Sequence, residues 1–368
     1  MRIGIIYTKF YPLTSSASAH GYYVFSHLKK RGYELHTLGM GDNLLSVDHS
    51  RNIKGVFSFL KSIDVLYIRV THWKWYEWAT LLKLLSFGRI KVIWEINAPI
   101  EEALADQQGK PDIKLLTWIK RKNRNRRMLS RFCDGTISVS RILQQYCEKN
   151  LLVKKHTYFP NGAEHEVMRR EKTADTHPMK DLVADRFVVA WAGVSGSSWQ
   201  GTNKILEVAE RMQQSDPDIL FVTFGSHSVY NSKILSNVIS FAEIRNDLLP
   251  SFLSHAHVGL CIYNDYNWSP IGFYGSSLKL FDYMAMELVV IASNMGQIAE
   301  IIKDGENGLL TDGSIEDIIR KISYSKERYA SLTNMRGNAR RLVETTYNWE
   351  KVAEKTADFI EKIAGNHR

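Results

Sequence analysis

The sequence predicts an α/β fold of two doubly wound domains, each a parallel sheet with helices on both faces. The chain has 368 residues, which is more than one hydrophobic core usually serves. Short apolar strands alternate with helices, and this alternation indicates parallel sheets that are buried on both faces. The alternation stops at a polar, proline-containing segment and then starts again, which indicates a second domain of similar size.

The strands and helices follow in a regular order. The first half gives the strands RIGIIY, YELHTLG, DVLYIRV, KVIWEIN and DGTISVS, with GYYVFSHLKKRG and RILQQYCEKN as helices. The second half gives the strands RFVVAWAG, ILFVTFG, VGLCIY and ELVVIAS, with KILEVAERM and LLPSFLSHA as helices. We therefore expect a first domain at 1–165, a linker at 166–186, a second domain at 187–345 and an amphipathic helix at 346–368. Ligands of such sheets bind at the carboxyl ends of the strands, so we expect the site in the cleft between the domains.

Composition and charge narrow the possible functions. The chain is 44% apolar and 24% charged, with a net charge of +9, which favours acidic partners such as nucleotides or an anionic membrane surface. The three scattered cysteines lack metal-binding spacing and favour a reducing compartment. No apolar run is long enough for a signal peptide or a membrane span, so we expect a cytoplasmic protein. Nucleic-acid binding is not expected, because no recognised module accompanies the basic residues.

The segment YGSSLKLFDYMAMELVVIASN, at 274–294, places a cation in an apolar helix. Ser276 or Ser277 is expected to cap a helix that begins near Leu278. The free N–H groups and dipole of that end favour an anion, and Lys279 is unfavourable there unless an anion compensates for it. Asp282 lies one turn later, where it could accept hydrogen bonds from ribose or sugar hydroxyls. The alternative is a capped, buried helix in which Lys279 and Asp282 form a local ion pair.

The longer segment SSLKLFDYMAMELVVIASNMGQIAEIIKDGENGLL resembles the donor-site signature of glycosyltransferase family 4, whose members have the GT-B fold. FPNGAEHEVM and GTISVS resemble further family segments of the first domain, and NWEKVAEKTADFIEKI resembles its C-terminal helix. The resemblance implies two Rossmann-like domains facing across a cleft, with the last helix crossing back to the first domain. It also implies transfer of a hexose from a UDP- or GDP-linked sugar to an acceptor hydroxyl, with retention and without a metal or other cofactor. Such an enzyme would act in bacterial polysaccharide or glycoconjugate biosynthesis, on a sugar or lipid-linked acceptor.

The same resemblance implies roles for the residues of the opening segment. Asp282 takes the place of the acid that binds the nucleotide ribose, and Lys279 would neutralise the departing diphosphate as a catalytic residue. Backbone amides of the loop would hold the diphosphate; these are Gly275, Ser276, Ser277 and Leu278. Two positions depart from the family pattern. Tyr274 replaces a glutamate near the donor sugar, and Glu287-Leu288-Val289 replaces a Gly-Lys-Pro turn.

A second loop, WAGVSGSSWQGTNK, lies between a predicted strand and a helix. Its small residues suit a loop that approaches phosphate closely; they are Gly193, Ser195, Gly196 and Gly201. The family has two cations there that bind the donor diphosphate, and this chain has Val194 and Gln200 at those positions. Lys204, one turn later, is the candidate replacement. The alternative is a plain turn between a strand and a helix.

Two loops of the first domain complete the predicted site. In YPLTSSASAHGYYV, Ser15 and Ser16 replace the two glycines of the family pattern, and His20 matches its histidine. In WEINAPIEE, Asn97 is the candidate for contact with the donor sugar or acceptor, and Pro99 fixes the turn. Glu95, Glu101 and Glu102 are acidic candidates, or solvated loop acids. His20 is also explained by packing or capping. Together with Lys279, His20 and Asn97 form the predicted catalytic set.

Two surface features allow alternatives. The segment KRKNRNRR, at 120–127, is either a solvated helix face or a contact with an anionic membrane surface. The segment THWKWYEW is either part of the core or a site for a sugar or lipid acceptor. Because family cations are missing at 194 and 200, a binding subunit without turnover is a rival function. Another enzyme of the same fold, such as a sugar-nucleotide epimerase or a phosphorylase, is a third.

Overall fold

The computed structural model describes residues 1–8, 10–41, 45–105, 107, 111–170, 177–183, 185–193, 197–225, 235–242 and 244–365. The described part of the chain forms two compact units. Unit 1 comprises Met1–Asn161, Asn267–Ser276 and Trp349–Arg368, and unit 2 comprises Gly162–Tyr266 and Ser277–Asn348.

The strands of the structure are β1 Arg2–Ile6, β2 Glu34–Leu38, β3 Val47–His49, β4 Val65–Val70, β5 Lys91–Ile96, β6 Gly135–Ser138, β7 His156–Tyr158, β8 Phe187–Ala192, β9 Ile219–Phe224, β10 Val238–Phe241, β11 Val258–Cys261, β12 Val289–Ser293 and β13 Leu309–Thr311.

The helices are α1 Ser16–Lys30, α2 Ile53–Ser62, α3 Leu82–Leu85, α4 Ile113–Leu129, α5 Arg141–Asn150, α6 Pro178–Val183, α7 Thr202–Ser215, α8 Leu249–Leu253, α9 Leu278–Ala285, α10 Gly296–Ile301, α11 Ile315–Glu327, α12 Thr333–Thr345 and α13 Trp349–Ala364. Short 3-10 helices occur as well, including Tyr76–Leu81 and Ile100–Leu104.

Unit 1 is built on a sheet with the strand order β3-β2-β1-β4-β5-β6-β7, in which every neighbouring pair is parallel. The side chains of the central strands are almost fully buried, as expected when helices cover both faces. Helix α13 packs against α1 in this unit. The Trp349 ring stacks on Tyr23 at 5.7 Å between centroids, and the Tyr33 hydroxyl donates to Glu361 at 2.5 Å.

Unit 2 repeats the architecture with the order β10-β9-β8-β11-β12-β13, again parallel throughout. Its core includes Trp191 of β8, Phe221 of β9 and Ile291 of β12, each at most 1% exposed. Arg340 of α12 donates to backbone carbonyls of His165, Met168 and Ala285. These bonds tie the start of unit 2 to the end of α9.

The prediction of two Rossmann-like, doubly wound α/β domains is confirmed. The four strands that the prediction missed are β3, β7, β10 and β13, which are the outer strands of the two sheets and have three or four residues each. The predicted first helix is also longer than expected. It begins at Ser16 because Ser15 and Ser18 form a capping box, in which Ser15 Oγ accepts from the Ser18 N–H at 3.1 Å.

Candidate functional site

The candidate site of unit 2 lies where the order of its strands reverses. Strands β8 and β11 are neighbours in the sheet although β9 and β10 separate them in sequence. The chain leaves β8 through Gly193 and leaves β11 through Tyr263 on its way to α9. Open parallel sheets bind ligands at this kind of switch point, outside the carboxyl ends of the strands. The fold therefore brings Gly193, Gln200 and the N-terminus of α9 to one place.

The N-terminus of α9 has no side-chain cap. Ser277 is the N-cap residue, but its Oγ shares a hydrogen bond with the Tyr263 hydroxyl at 2.8 Å and lies 3.4 Å from Cys261 Sγ. The predicted capping by Ser276 or Ser277 is therefore wrong. Within the described residues, the backbone N–H groups of Ser276, Ser277 and Leu278 have no acceptor. These amides, with the positive end of the helix dipole, remain able to bind an anion.

Lys279 is buried, with 8% of its surface exposed. Its ammonium group donates to Gln200 Oε1 at 2.8 Å and lies 4.7 Å from the centroid of the Trp191 ring and 5.1 Å from that of Tyr263. Burial lowers the pKa of Lys279 to about 8. No carboxylate of the described residues forms an ion pair with this cation. The positive charge is thus held by an amide oxygen and two aromatic faces.

Asp282 is buried one turn later, with 6% of its surface exposed. Among the described residues, its carboxylate has neither a hydrogen-bond nor an ion-pair partner. Burial without a compensating charge raises the pKa of Asp282 to about 7. The interpretation of Lys279 and Asp282 as a local ion pair is therefore wrong. Helix α9 therefore carries two buried charged groups, and no oppositely charged group of the described residues neutralises either of them.

The loop that follows β8 approaches Lys279 closely. A Cβ atom added at Gly193 would lie 3.0 Å from Lys279 Nζ and 2.8 Å from the Trp191 ring. Gly201 has a φ of +68°, and a Cβ there would lie 2.8 Å from the Ile262 carbonyl oxygen. The structure thus gathers Gly193, Gln200 and Lys279. Ser195 and Gly196 lie outside the described residues, as does Val194.

Lys204, the candidate replacement for the missing cation, lies in the first turn of α7. Its ammonium group is close to Gly313, where an added Cβ would lie 3.2 Å from Nζ. Lys204 therefore lies beside the loop between β13 and α11, whereas Lys279 lies beside Gly193 and Gln200.

Unit 1 carries a second cluster of predicted residues around Glu95. Its carboxylate accepts from Arg69 at 2.6 Å and from Asn97 at 2.8 Å, while the Tyr67 hydroxyl donates to the other oxygen at 2.8 Å. His20 Nε2 lies 3.4 Å from the same carboxylate. Burial opposes ionisation, but the interactions with His20 and Arg69 outweigh it and lower the pKa of Glu95 to about 2. The structure therefore brings His20, Glu95 and Asn97 together.

The remaining predicted residues of unit 1 have individual partners. Ser15 caps α1 and Ser16 is its exposed first residue. The Tyr274 hydroxyl donates to Glu102 at 2.8 Å. Glu101 accepts from Tyr146 at 2.9 Å and from Asn123 at 2.8 Å, so it is not a free loop acid.

The prediction from sequence missed several residues of these clusters. Trp191 and Tyr263 flank Lys279, Tyr67 and Arg69 hold Glu95, and Asn161 bonds both His20 and Ser276. Arg69 carries a sequence signal, because a charged residue inside the apolar strand VLYIRV needs a buried partner. The others have no comparable signal.

The basic segment and the tryptophan-rich segment lie together on the surface of unit 1. Lys122 and Arg126 of α4 are buried, and Lys122 Nζ lies 4.4 Å from the centroid of the Trp75 ring, so α4 is not simply a solvated face. Trp73, Trp75 and Trp78 are 63%, 41% and 42% exposed, and their interpretation as core is wrong.

The described residues contain neither a cluster of metal-binding side chains nor a membrane-spanning helix. They contain no group of three or more histidine, cysteine, aspartate or glutamate side chains that could hold a metal ion. The pair Asp216 and Asp218 is engaged by Lys326, whose Nζ lies 2.6 Å and 3.8 Å from their carboxylates. None of the described helices is long and apolar enough to cross a membrane.

Comparison with known proteins relates this architecture to sugar transfer. Residues 186–325, less than half of the chain, match the family model described as glycosyl transferases group 1. No curated protein sequence is significantly similar to the chain. The match of unit 2 supports a glycosyltransferase.

Solved structures of low sequence identity share the fold over the whole length. A glycosyltransferase from Rickettsia africae is 15% identical, with a TM-score of 0.70 and coverage of 100% of this chain and 99% of that chain. Sucrose-phosphate synthase from Thermosynechococcus elongatus is 14% identical, with a TM-score of 0.71 and full coverage of both chains. Anabaena HepE in complex with UDP-glucose is 14% identical, with a TM-score of 0.72 and coverage of 98% and 100%. These similarities confirm the GT-B fold.

Proposed function

We propose that the protein is a retaining hexosyltransferase that uses a UDP- or GDP-linked sugar as donor. One observation carries the proposal: Lys279 and Asp282 are both buried on α9, and neither has an opposite charge as partner among the described residues. Burying uncompensated charges is unfavourable, so such groups are expected where a ligand completes them. The match of 186–325 to glycosyl transferases group 1 and the fold shared with a protein that binds UDP-glucose support this choice.

We infer that these groups bind complementary parts of the donor. Lys279 and the amides of Ser276, Ser277 and Leu278 would bind the diphosphate at the positive end of α9. Gly193 keeps side-chain atoms away from the ammonium group of Lys279, since a Cβ at this position would lie 3.0 Å from Nζ. Asp282 is three residues after Lys279 and hence on the same face of the helix, where it would accept hydrogen bonds from ribose hydroxyls.

Catalysis would rest on stabilising the leaving group. The bond between the anomeric carbon and the diphosphate oxygen breaks, and negative charge accumulates on the diphosphate beside Lys279. The acceptor oxygen forms the new bond on the same face of the sugar, and its proton passes to the departing phosphate oxygen. No metal is needed, since a cation and amides take its electrostatic role. His20, Glu95 and Asn97 in unit 1 are proposed to serve the transferred sugar and the acceptor.

Titration calorimetry with UDP and GDP, followed by hydrolysis of a panel of nucleotide sugars, tests the proposal. We expect one nucleoside diphosphate to bind and the matching sugar nucleotide to be hydrolysed slowly or transferred. Absence of binding by every common nucleoside diphosphate at millimolar concentration would overturn it. Binding without turnover of any sugar nucleotide would favour the rival function, a binding subunit. That outcome has a structural basis, because Gln200 stands where the family has a cation and its oxygen already holds Lys279.

We further propose that the acceptor side of the protein works at an anionic membrane surface. Helix α4 has no acidic residue, and its exposed cations Lys120, Arg121 and Arg124 form no ion pair among the described residues. Exposed apolar side chains lie on α4, on and before the 3-10 helix Tyr76–Leu81 that contacts it, and on α3 and Phe87, which follow that 3-10 helix in the chain. Apart from the three tryptophans they are Leu84, Leu85, Phe87, Ile113, Leu116 and Met128. Cations beside exposed aromatic residues suit the headgroup region of a bilayer. Flotation with anionic vesicles measures this binding.

A further inference from the structure

Asn161 is hydrogen-bonded to the loop before α9 by both its backbone and its side chain. Its backbone N–H donates to Ser276 Oγ at 2.8 Å, and its side-chain Nδ2 donates to the Ser276 carbonyl oxygen at 2.7 Å. Asn161 is only 7% exposed. Both residues belong to unit 1, and Ser276 is covalently joined to Ser277, the N-cap residue of α9. Asn161 therefore contacts the residue that immediately precedes the predicted phosphate-binding helix end.

The amide of Asn161 is itself held in one orientation. Because a carbonyl oxygen can only accept, Nδ2 must face Ser276, and Oδ1 then faces His20 Nδ1 at 2.7 Å. His20 is 6% exposed, its Nε2 lies 3.4 Å from the Glu95 carboxylate, and its ring packs edge-on against Trp349 at 5.4 Å between centroids. A flip of the Asn161 amide would turn Oδ1 toward the Ser276 carbonyl oxygen and place two acceptors there. With a proton on Nδ1, His20 donates to Oδ1 and thereby favours the rotamer that binds Ser276.

We propose that Asn161 is a positioning residue for the phosphate-binding loop, and that His20 acts on that loop through Asn161. The physical reason is the planarity of the peptide bond. In a trans peptide the C=O of one residue and the N–H of the next point in opposite directions. Holding the Ser276 carbonyl oxygen on Asn161 therefore directs the Ser277 N–H away from Asn161. The Ser277 N–H, which would donate to a diphosphate oxygen, is therefore oriented before the ligand binds.

This inference rests on the proposed function for its ligand; it adds a role for Asn161, which the proposed function does not use, and a second role for His20. Preorganised donors bind an anion more tightly, because no binding free energy is lost in ordering the loop. Losing the two side-chain bonds of Asn161 should weaken nucleotide binding by about tenfold, which corresponds to about 1.4 kcal/mol. The folded unit should otherwise survive, because the backbone bond to Ser276 Oγ remains.

The test compares Asn161→Ala, His20→Gln and the double variant with the wild type in calorimetry with UDP and GDP. Asn161→Ala should raise the Kd about tenfold, and His20→Gln should raise it less. In the Asn161→Ala background, His20→Gln should have no further effect, because its influence passes through Asn161. Asn150→Ala is the matched control. The Asn150 side chain donates to the Tyr146 carbonyl oxygen in unit 1 without contacting the loop, so this variant should bind nucleotide with the Kd of the wild type.

Amide hydrogen exchange supplies a readout that does not depend on nucleotide binding. Exchange at Ser276, Ser277 and Leu278 should be faster in Asn161→Ala than in the wild type and unchanged in Asn150→Ala. If the wild type binds no nucleotide but this exchange accelerates, the proposed function fails and the positioning role stands. If exchange and Kd are both unchanged in Asn161→Ala, the positioning role is overturned. Should Asn161→Ala fail to fold, Asn161→Asp tests the same link, because it keeps an acceptor toward His20 and removes the donor to the Ser276 carbonyl oxygen.

Discussion

At the scale of single residues, Asp282 makes the ligand-free protein less stable than it could be. Its pKa is raised by burial to about 7 in the folded state, above that of an exposed aspartate. The folded state therefore binds more protons than the unfolded state between about pH 4 and pH 7, and stability falls as the pH rises through that range. Above pH 7 the buried carboxylate is charged and uncompensated, so its full cost is present.

Asp282→Asn is accordingly expected to raise the melting temperature of the ligand-free protein at pH 8. The amide keeps the shape of the side chain without its charge. The difference from the wild type should shrink as the pH falls from 7 toward 4, because the folded-state carboxyl group becomes neutral over that range. Thermal melts at a series of pH values measure this. A lower melting temperature for Asp282→Asn at pH 8 would instead mean that the carboxylate has a stabilising partner in the folded protein.

Lys279 is expected to act mainly in the transition state. Negative charge accumulates on the diphosphate as it departs, so Lys279→Ala should lower kcat with a loss of about 2–4 kcal/mol, as for other preorganised charge-stabilising groups. Asp282→Asn should mainly raise KM, because ribose hydroxyls are bound equally in the ground and transition states. Initial rates with the donor found by calorimetry measure both. Lys303→Ala, which removes an exposed lysine of unit 2, is the control, and unaltered kinetics for Lys279→Ala would contradict the assigned role.

The sequence allowed the prediction of Lys279 and Asp282 for a physical reason. Charged residues in an otherwise apolar helix stand out, and their spacing of three residues puts them on one face. The sequence did not allow the prediction that Gln200, Trp191 and Tyr263 surround the ammonium group. That arrangement depends on how the loops after β8 and β11 pack, and no local pattern encodes the distance between two loops.

At the scale of secondary-structure elements, the start of α7 depends on a glycine. Gly201 is the N-cap residue of α7 with a φ of +68°, and an added Cβ would meet the Ile262 carbonyl oxygen. Gly201→Ala should therefore destabilise the protein by about 1–2 kcal/mol from backbone conformation alone. Denaturant unfolding measures the change.

A matched glycine separates this effect from the general preference of helices for alanine. Gly337 lies inside α12, and an added Cβ there would have no neighbour within 4 Å. Gly337→Ala should stabilise the protein by about 0.5–1 kcal/mol, since glycine in a helix interior is unfavourable. The same change from glycine to alanine should thus lower the free energy of unfolding at 201 and raise it at 337. Equal effects at the two positions would contradict the role of Gly201.

The elements that the sequence failed to predict share a position. The outer strands β3, β7, β10 and β13 have one neighbouring strand instead of two; no residue of β3, β7 or β10 is fully buried, and β13 has only three residues. β10 and β7 are only partly buried along their length, and β3 is mostly exposed. Hydrophobic runs mark strands that are covered on both faces and flanked on both sides. Short edge strands lack that signal, and pairing with a neighbour decides their structure.

At the scale of the whole molecule, the sequence allowed the fold class to be predicted because the same alternation of strands and helices occurs twice. It did not allow assignment of residues 267–276, which the prediction treated as part of the second domain. They lie in a compact unit with the first 161 residues, and Tyr274 and Ser276 bond Glu102 and Asn161 there. Their sequence, NWSPIGFYGS, carries no periodicity that would assign it to either unit.

The charge of the whole molecule predicts how it should meet a bilayer. The net charge is +9, and α4 concentrates unpaired cations beside exposed aromatic side chains. We expect flotation with vesicles that contain anionic lipid at low ionic strength, and loss of flotation at about 1 M salt, where the screening length is about 3 Å. Vesicles of neutral lipid should bind much less. Equal flotation with neutral and anionic vesicles would contradict the electrostatic part of this prediction.

Two variants divide the contact into its charged and apolar parts. Arg121→Glu with Arg124→Glu should abolish flotation at low salt, because about 1 kcal/mol of attraction per cation becomes repulsion.

Phe87→Ser should weaken the binding that persists at moderate salt. Phe87 is fully exposed with a φ of 53°, a conformation that suits glycine, so the protein keeps an aromatic ring in water without a packing benefit. Lys54→Glu changes the charge of an exposed position on α2 and should float like the wild type. If Lys54→Glu lowers flotation as much as one α4 charge reversal, net charge alone explains the binding. The specific surface formed by α4 and the exposed tryptophans would then be excluded.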